Sequence, residues 1–270
     1  EICDSVDQIK HEIFAKCLEK YDISRGIEIH SISELPGGSG LGSSGTFTVS
    51  LLRLLNIMLR RDMTMKELAE FAASIEMVEL GRSCGKQDQY IAVYGGVITL
   101  DISKNGDVNV EVLDLDSITL KGLNSNLLLY YTGVSRDANM ILAEQNDLLR
   151  KRKLSPTAGM KRIQEIGYKS KEELLSGNLD EFGRLLDEHW EVKKSMSKKM
   201  SNQNIDNLYY YAKECGALGG KVVGAGGGGY FMFYVPPALH LSFRKKMVGK
   251  GLSELNWDFD FQGVTKIFSG

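Results

Sequence analysis

The chain has 270 residues, 43% of them hydrophobic and 25% charged. That balance suits a globular protein with a sizeable core and excludes disordered and collagen-like chains. No apolar run approaches the ~18 residues that span a bilayer, and 33 basic against 35 acidic residues leave no positive surplus for binding nucleic acid through its phosphates.

Ile2, Val6, Ile9, Ile13 and Cys17 recur at helical spacing, which predicts a helix through about Tyr21. Gly26–Ile32 alternates apolar and polar residues and predicts a strand. A glycine-rich loop follows, then a helix from about Ser43 to Arg60 with Phe47, Leu51, Leu54, Leu55 and Met58 on its apolar side. A further helix is predicted from Thr64 to Leu80, with Thr64 and Glu67 as a capping box and Gly81 as its stop. The polar turn RSCGKQDQ and a short apolar segment lead to Gly95 and Gly96. Strands are predicted at 97–101, 108–113 and 127–132. Beyond Arg136 the texture becomes helical, over 137–152, 157–167, 178–199 and 204–216. A second glycine run follows, then a strand at Tyr230–Val235 and a helix near 238–250. The mixture is α+β in two halves, with a boundary expected between 120 and 135.

Glycine is unevenly spread: 13 of the 29 sit within Gly37–Gly45 and Gly216–Gly229, where the backbone is expected to approach something closely. The first cluster, PGGSGLGSS (Pro36 to Ser44), lies after a predicted strand and opens a helix. Its amides and small side chains suit a bound phosphate. Gly37 and Gly42 match the start of a P-loop, but Ser43 stands where that motif needs lysine. Gly40, Gly42 and Gly45 match GxGxxG with Asp62 about 20 residues on, yet the intervening segment is helical and lacks the second strand of a dinucleotide fold. The second run, KVVGAGGGGYFMFYV, also contains GxGxxG but precedes a strand, so it suggests close backbone packing or approach to a ligand. Glu76 near a helix end and Asp88 in the following turn form a carboxylate pair suited to metal ligation and to orienting a hydroxyl. Cys3, Cys17, Cys84 and Cys215 and the four histidines show no zinc spacing. The scattered cysteines suggest a reducing compartment, with the cytoplasm as the expected location.

Together the three segments PGGSGLGSSG, GRSCGKQDQYIAVYGG and GAGGGG resemble, in order, motifs of the GHMP small-molecule kinases, with Gly45 in place of the usual alanine. Within that family the runs GKQDQYIAVYGG, YTGVSRDAN, DEHWEVKKSMSKKMSN and ALGGKVVGAGGGGYFMFYV are similar to the sugar-kinase branch that contains the D-glycero-D-manno-heptose 7-phosphate kinases. The likeness extends over most of Gly26–Val235. It implies two α+β domains with the active site in the cleft between them: an ATP-binding, ribosomal S5 domain 2-like N-terminal domain (residues 1–125) and a ferredoxin-like C-terminal domain (126–270). A first motif like RxxxAGGGTD is not found, so a segment before Glu1 is expected.

The same resemblance implies roles. Pro36, Gly37, Gly38, Ser39, Gly40, Leu41, Gly42, Ser43 and Ser44 would bind ATP. Ser44 and Glu76 would hold Mg²⁺, and Asp88 would orient or deprotonate the attacking hydroxyl. Gly226, Gly227 and Gly228 would support the phosphate loop and flank the acceptor. Arg136 is read as meeting a substrate phosphate or as forming an ordinary salt bridge. Lys86 is read as neutralising charge near Asp88 or as a solvated lysine, Trp190 as core, and Lys193, Lys194, Lys198 and Lys199 as a solvated face that would also welcome a phosphosugar. The expected partner is a sugar or sugar phosphate, not nucleic acid or a membrane, and a homodimer is left open. The implied reaction is phosphorylation of an anomeric hydroxyl, that of heptose 7-phosphate first. The alternatives are a free-hexose 1-kinase of fucose or galactose type and an inactive nucleotide- or phosphosugar-binding regulator.

Overall fold

The structure is a computed structural model that describes residues 1–35, 37–133, 154–197 and 199–268. The expectations at Pro36, Arg136 and Lys198, and for the helix over 137–152, lie outside the described residues. The chain divides into two compact units. The N-terminal unit comprises Glu1–Gly37, Gly42–Val112 and Asp260–Gly270, and the C-terminal unit Gly38–Leu41 and Leu113–Phe259. The main change of unit at Val112 precedes the expected boundary, and residues 38–41 of the glycine loop belong to the second unit.

The N-terminal unit is mostly helical. A short 3₁₀ turn at Val6–Gln8 precedes α1 (Glu12–Lys20). Helix α2 (Ser43–Met58) buries Leu51, Leu52 and Leu55, whereas Leu54 and Met58 are about half exposed. The buried stripe is therefore rotated from the expected one. Helix α3 (Met65–Ser74) begins at Thr64 with both capping-box hydrogen bonds formed. It passes into a π-helical turn, Ile75–Glu79, and stops before Gly81 in the left-handed region (φ +61°). Helix α4 (Gln87–Tyr94) occupies what reads as a polar turn; its apolar residues Tyr90 and Val93 are buried three apart. Strands β1 (Ile98–Ile102) and β2 (Val108–Val112) form an antiparallel hairpin. Gly26–Ile32 forms no strand: Ile27 and Ile29 pack against the core as the alternation expects, but no neighbouring strand among the described residues pairs with them. Tyr21, Leu52, Leu55, Ala69, Ala72, Ile75 and Tyr90 lie at the centre of this core.

The C-terminal unit contains α5 (Ser117–Asn126), capped by the Asp116 side chain on Thr119 N, β3 (Leu127–Tyr131), α6 (Leu154–Leu175), α7 (Leu179–Met196), α8 (Gln203–Glu214), β4 (Gly219–Val222), β5 (Tyr230–Tyr234), α9 (His240–Gly249) and β6 (Glu254–Leu255). The strands make an antiparallel sheet in the order β4-β5-β3-β6. Phe231 and Phe233 stack at 4.4 Å on one face and, through the register Leu128↔Phe233 and Tyr130↔Phe231, share it with β3. Trp190 of α7, Tyr209 of α8 and Phe243 of α9 close over that face, so Trp190 is core as expected. Strand β4 lies against α7 so tightly that a Cβ at Gly219 would sit 2.6 Å from the amide nitrogen of Asp187, which explains the glycine. The four cysteines are unpaired, and no described helix is long and apolar enough to cross a membrane.

Candidate active site

In the N-terminal unit the chemistry gathers around the start of α2. Gly42 is its N-cap in the left-handed region (φ +71°), a conformation that favours glycine. The first amides of a helix lack intrahelical partners and attract anions. Against this helix end lies the first turn of α4, which presents Asp88. A Cβ at Gly42 would come within 3.2 Å of Asp88 Cγ, and one at Gly45 within 2.8 Å of Asp88 Cβ. The second distance accounts for Gly45: an alanine there would push α4 away.

Ser44, on the first turn of α2, hydrogen-bonds through its hydroxyl to the Glu76 carboxylate. Glu76 sits in the π-helical turn and is 3% exposed. Its Oε1 accepts from Gln89 Nε2 at 2.7 Å and from Thr48 Oγ1 at 3.4 Å. Arg82 Nη1 lies 3.1 Å from Ser44 Oγ and 3.4 Å from Glu76 Oε2, and its Nη2 pairs with Glu12 at 3.2 Å. Asp88 exposes surface at the helix end, but protein crowds its carboxyl. This desolvation raises its pKa above the ordinary carboxylate value, and the Glu76 charge adds to the rise. The pair therefore differs in role: Glu76 is an embedded, hydrogen-bonded carboxylate, and Asp88 is an accessible one whose proton affinity is enhanced.

Lys86 does not neutralise Asp88 and is not solvated. Its Nζ bonds both oxygens of Glu70 (2.9 and 2.7 Å) and the Gly106 carbonyl (2.8 Å). Arg82, Thr48 and Gln89 drew no functional notice in the sequence. The available signals were the spacing of four from Ser44 to Thr48, which places both on one helix face, and the position of Gln89 beside Asp88.

In the C-terminal unit the loop residues Ser39 and Gly40 rest on the second glycine run. A Cβ at Gly40 would meet the Val223 carbonyl oxygen at 2.7 Å, one at Gly224 the Gly40 carbonyl oxygen at 2.7 Å, and one at Gly229 would overlap the Ser39 carbonyl. Gly40, Gly224 and Gly229 all have positive φ. Contact with the loop thus runs through Val223, Gly224 and Gly229. Gly226 and Gly227 instead face Met200, with Gly227 N donating to its carbonyl at 2.8 Å, and Gly228 is buried between them and Gly229. Ser39 is 1% exposed and its hydroxyl has no partner among the described residues.

The donor set at Ser44 and Glu76 fits Mg²⁺: one hydroxyl and one carboxylate, both hard oxygens, suit an ion that takes one or two protein carboxylates and completes its shell with phosphates and water. Among the described residues no group of three or more His, Cys, Asp or Glu is placed to hold a metal unaided.

Two family models match, GHMP kinases N terminal domain at residues 9–96 and GHMP kinases C terminal at 170–238. The D-glycero-alpha-D-manno-heptose 7-phosphate kinase of Campylobacter jejuni is 32% identical over 236 residues, covering 87% of this chain and 69% of that protein. The mevalonate kinase of Methanothermobacter thermautotrophicus is 30% identical over 227 residues, covering 83% and 70%. A crystal structure of a D-glycero-D-manno-heptose 1-phosphate kinase from Bacteroides thetaiotaomicron superposes with a TM-score of 0.76 at 26% identity, over 98% of this chain and 79% of that one. The chain belongs to the GHMP kinase family of ATP-dependent small-molecule kinases.

Proposed function

We propose that this chain transfers the γ-phosphoryl group of ATP to the anomeric hydroxyl of a sugar phosphate, D-glycero-D-manno-heptose 7-phosphate, giving the 1,7-bisphosphate and ADP. The observation that carries this reading is the carboxylate pair at the start of α2. Asp88, with raised proton affinity, packs beside Gly42 and Gly45, while Glu76 is held by Ser44, Thr48 and Gln89. Asp88 accepts the hydroxyl proton as the sugar oxygen forms its bond to the γ-phosphorus and the bond to the ADP oxygen breaks. The free amides at the start of α2, beside Gly42 and Gly45, hold phosphate oxygens without side-chain obstruction. Ser44 and Glu76 would hold Mg²⁺, which when bound neutralises charge on the β- and γ-oxygens. Arg82 supplies a fixed positive charge beside Ser44.

Sugar kinase relatives support the sugar as acceptor, and the names of two relatives specify a heptose phosphate, one the 7-phosphate and the other the 1-phosphate. The test is a panel of aldoses and aldose phosphates incubated with ATP and Mg²⁺, each product located by phosphorus NMR. The reading expects phosphorylation at the anomeric oxygen with heptose 7-phosphate preferred. Phosphorylation at another carbon, or equal use of free fucose or galactose, rejects the heptose acceptor.

A further inference from the structure

Three basic side chains of the C-terminal unit come together with no acid acting on them among the described residues. His189 and Lys193 are four apart on α7 and share a face. Lys221 lies on β4 two residues beyond Gly219, so it projects to the same side of the strand, and Gly219 abuts α7 at Asp187. Burial and the two neighbouring lysines push the His189 imidazole down to about 3; burial and Lys221 push the Lys193 ammonium down to about 7; burial also lowers Lys221. Lys221 is thus near enough to disfavour the charge on Lys193, and both lysines disfavour a charge on His189.

The acids of α7 are engaged elsewhere. Asp187 bonds the Tyr209 hydroxyl and Lys213 Nζ (2.9 Å), Glu188 holds Arg162, and Glu191 holds Lys194 (2.7 Å). Lys194 is accordingly an ordinary paired lysine. Lys193 donates to the Gly224 carbonyl at 2.7 Å, in the glycine turn that abuts Gly40. His189 Nδ1 is buried without a partner, and Lys221 makes no hydrogen bond or ion pair among the described residues. Two lysines set beside a buried imidazole nitrogen that has no partner are costly unless an anion completes them.

We propose that His189, Lys193 and Lys221 form an anion subsite for a phosphate group, carried by the sugar acceptor or by the nucleotide. It rests on the kinase reading only for the choice between those two sources.

The experiment uses Lys221→Met, with Lys193→Met as the second variant. Binding of inorganic phosphate is measured by calorimetry and phosphorus NMR, without turnover. Loss of a charge-assisted contact is expected to weaken phosphate binding about 10- to 100-fold. Lys221→Met should also melt higher than wild type without phosphate, because a repelled charge is removed, whereas a residue that only packs would lower the melting temperature. Kinetics assign the source. If kcat/KM for aldose phosphates falls tenfold or more while KM for ATP is unchanged, the acceptor brings the phosphate. If KM for ATP rises instead, the nucleotide does. Unchanged inorganic phosphate binding in both variants overturns the subsite. Phosphate binding that depends on Lys221, in a chain that phosphorylates no sugar, supports the subsite and rejects the kinase reading alone.

Discussion

Replacing Glu76 by glutamine keeps the shape of a side chain that is 3% exposed and removes its charge. The carboxylate now accepts from Gln89 on one oxygen and from Ser44 and Arg82 on the other. An amide has one acceptor oxygen and one NH₂. The oxygen is best kept toward Gln89, which turns the NH₂ toward Ser44, whose hydroxyl can accept, and toward the Arg82 guanidinium, which cannot. The change therefore removes the charge assistance at Gln89 and one of the two carboxylate partners of Arg82. A hydrogen bond to a charged group is worth about 1.5–3 kcal/mol and a neutral one about 1, and the Arg82 pair adds little at 3.4 Å with Arg82 a quarter exposed. The expected destabilisation is about 1–2 kcal/mol, or roughly 2–8 °C in Tm, so the chain stays folded at 25 °C. Turnover should fall by about 10²–10³-fold, the usual effect of removing one preorganised electrostatic group, and its Mg²⁺ dependence should weaken. The acid limb of the rate profile should also move to lower pH, because the Glu76 charge helps raise the Asp88 pKa. Calorimetric melting and steady-state kinetics against pH and Mg²⁺ measure all three. Wild-type turnover with wild-type Mg²⁺ dependence, or an acid limb that moves upward, would refute the reasoning.

Three other outcomes follow from the same geometry. Gly42→Val places a branched side chain at φ +71° against the Asp88 carboxyl; nucleotide affinity measured by calorimetry should fall by more than the ~1–2 kcal/mol that the backbone conformation alone costs in stability. Gly229→Ala drives a Cβ into the Ser39 carbonyl and should weaken ATP binding although residue 229 lies far along the chain from the loop; unchanged affinity would show that the two glycine runs act separately. Asp88→Asn should raise Tm at neutral pH. The folded-state pKa of Asp88 lies above its unfolded value, so ionisation opposes folding: the neutral form's advantage is complete below the ordinary carboxylate pKa and is lost as pH rises through the folded one. The Tm difference between variant and wild type should therefore shrink below about pH 4.

The elements governed by local rules were legible in the sequence. Thr64 and Glu67 announce a capping box that forms, and YFMFYV announces a central strand whose Phe231 and Phe233 fill the core. Gly26–Ile32 shows the limit: alternation shows which residues turn inward but does not supply a strand partner. Helix α4 was hidden because its first turn is polar and its glycine-bearing approach reads as loop, although Asp88 itself stood out. Lys86 and Lys193 could not be sorted by sequence. Their environments depend on Glu70, Gly106, Gly224 and Lys221, residues brought near by folding alone. Likewise, that Gly224 and Gly229 brace Ser39 and Gly40 of the first glycine loop follows from backbone approach, which motif spacing does not encode.

The central claim is that Asp88 takes the proton from the sugar hydroxyl. The most direct measurement is the single-turnover rate of Asp88→Asn on the accepted sugar, with ATP affinity measured on the same protein. Asparagine keeps the size of the side chain and loses the charge. The account predicts a rate lower by about 10²–10⁴-fold, the usual range for a general base, with ATP affinity near wild type. An Asp88→Asn protein that turns over at the wild-type rate would contradict it.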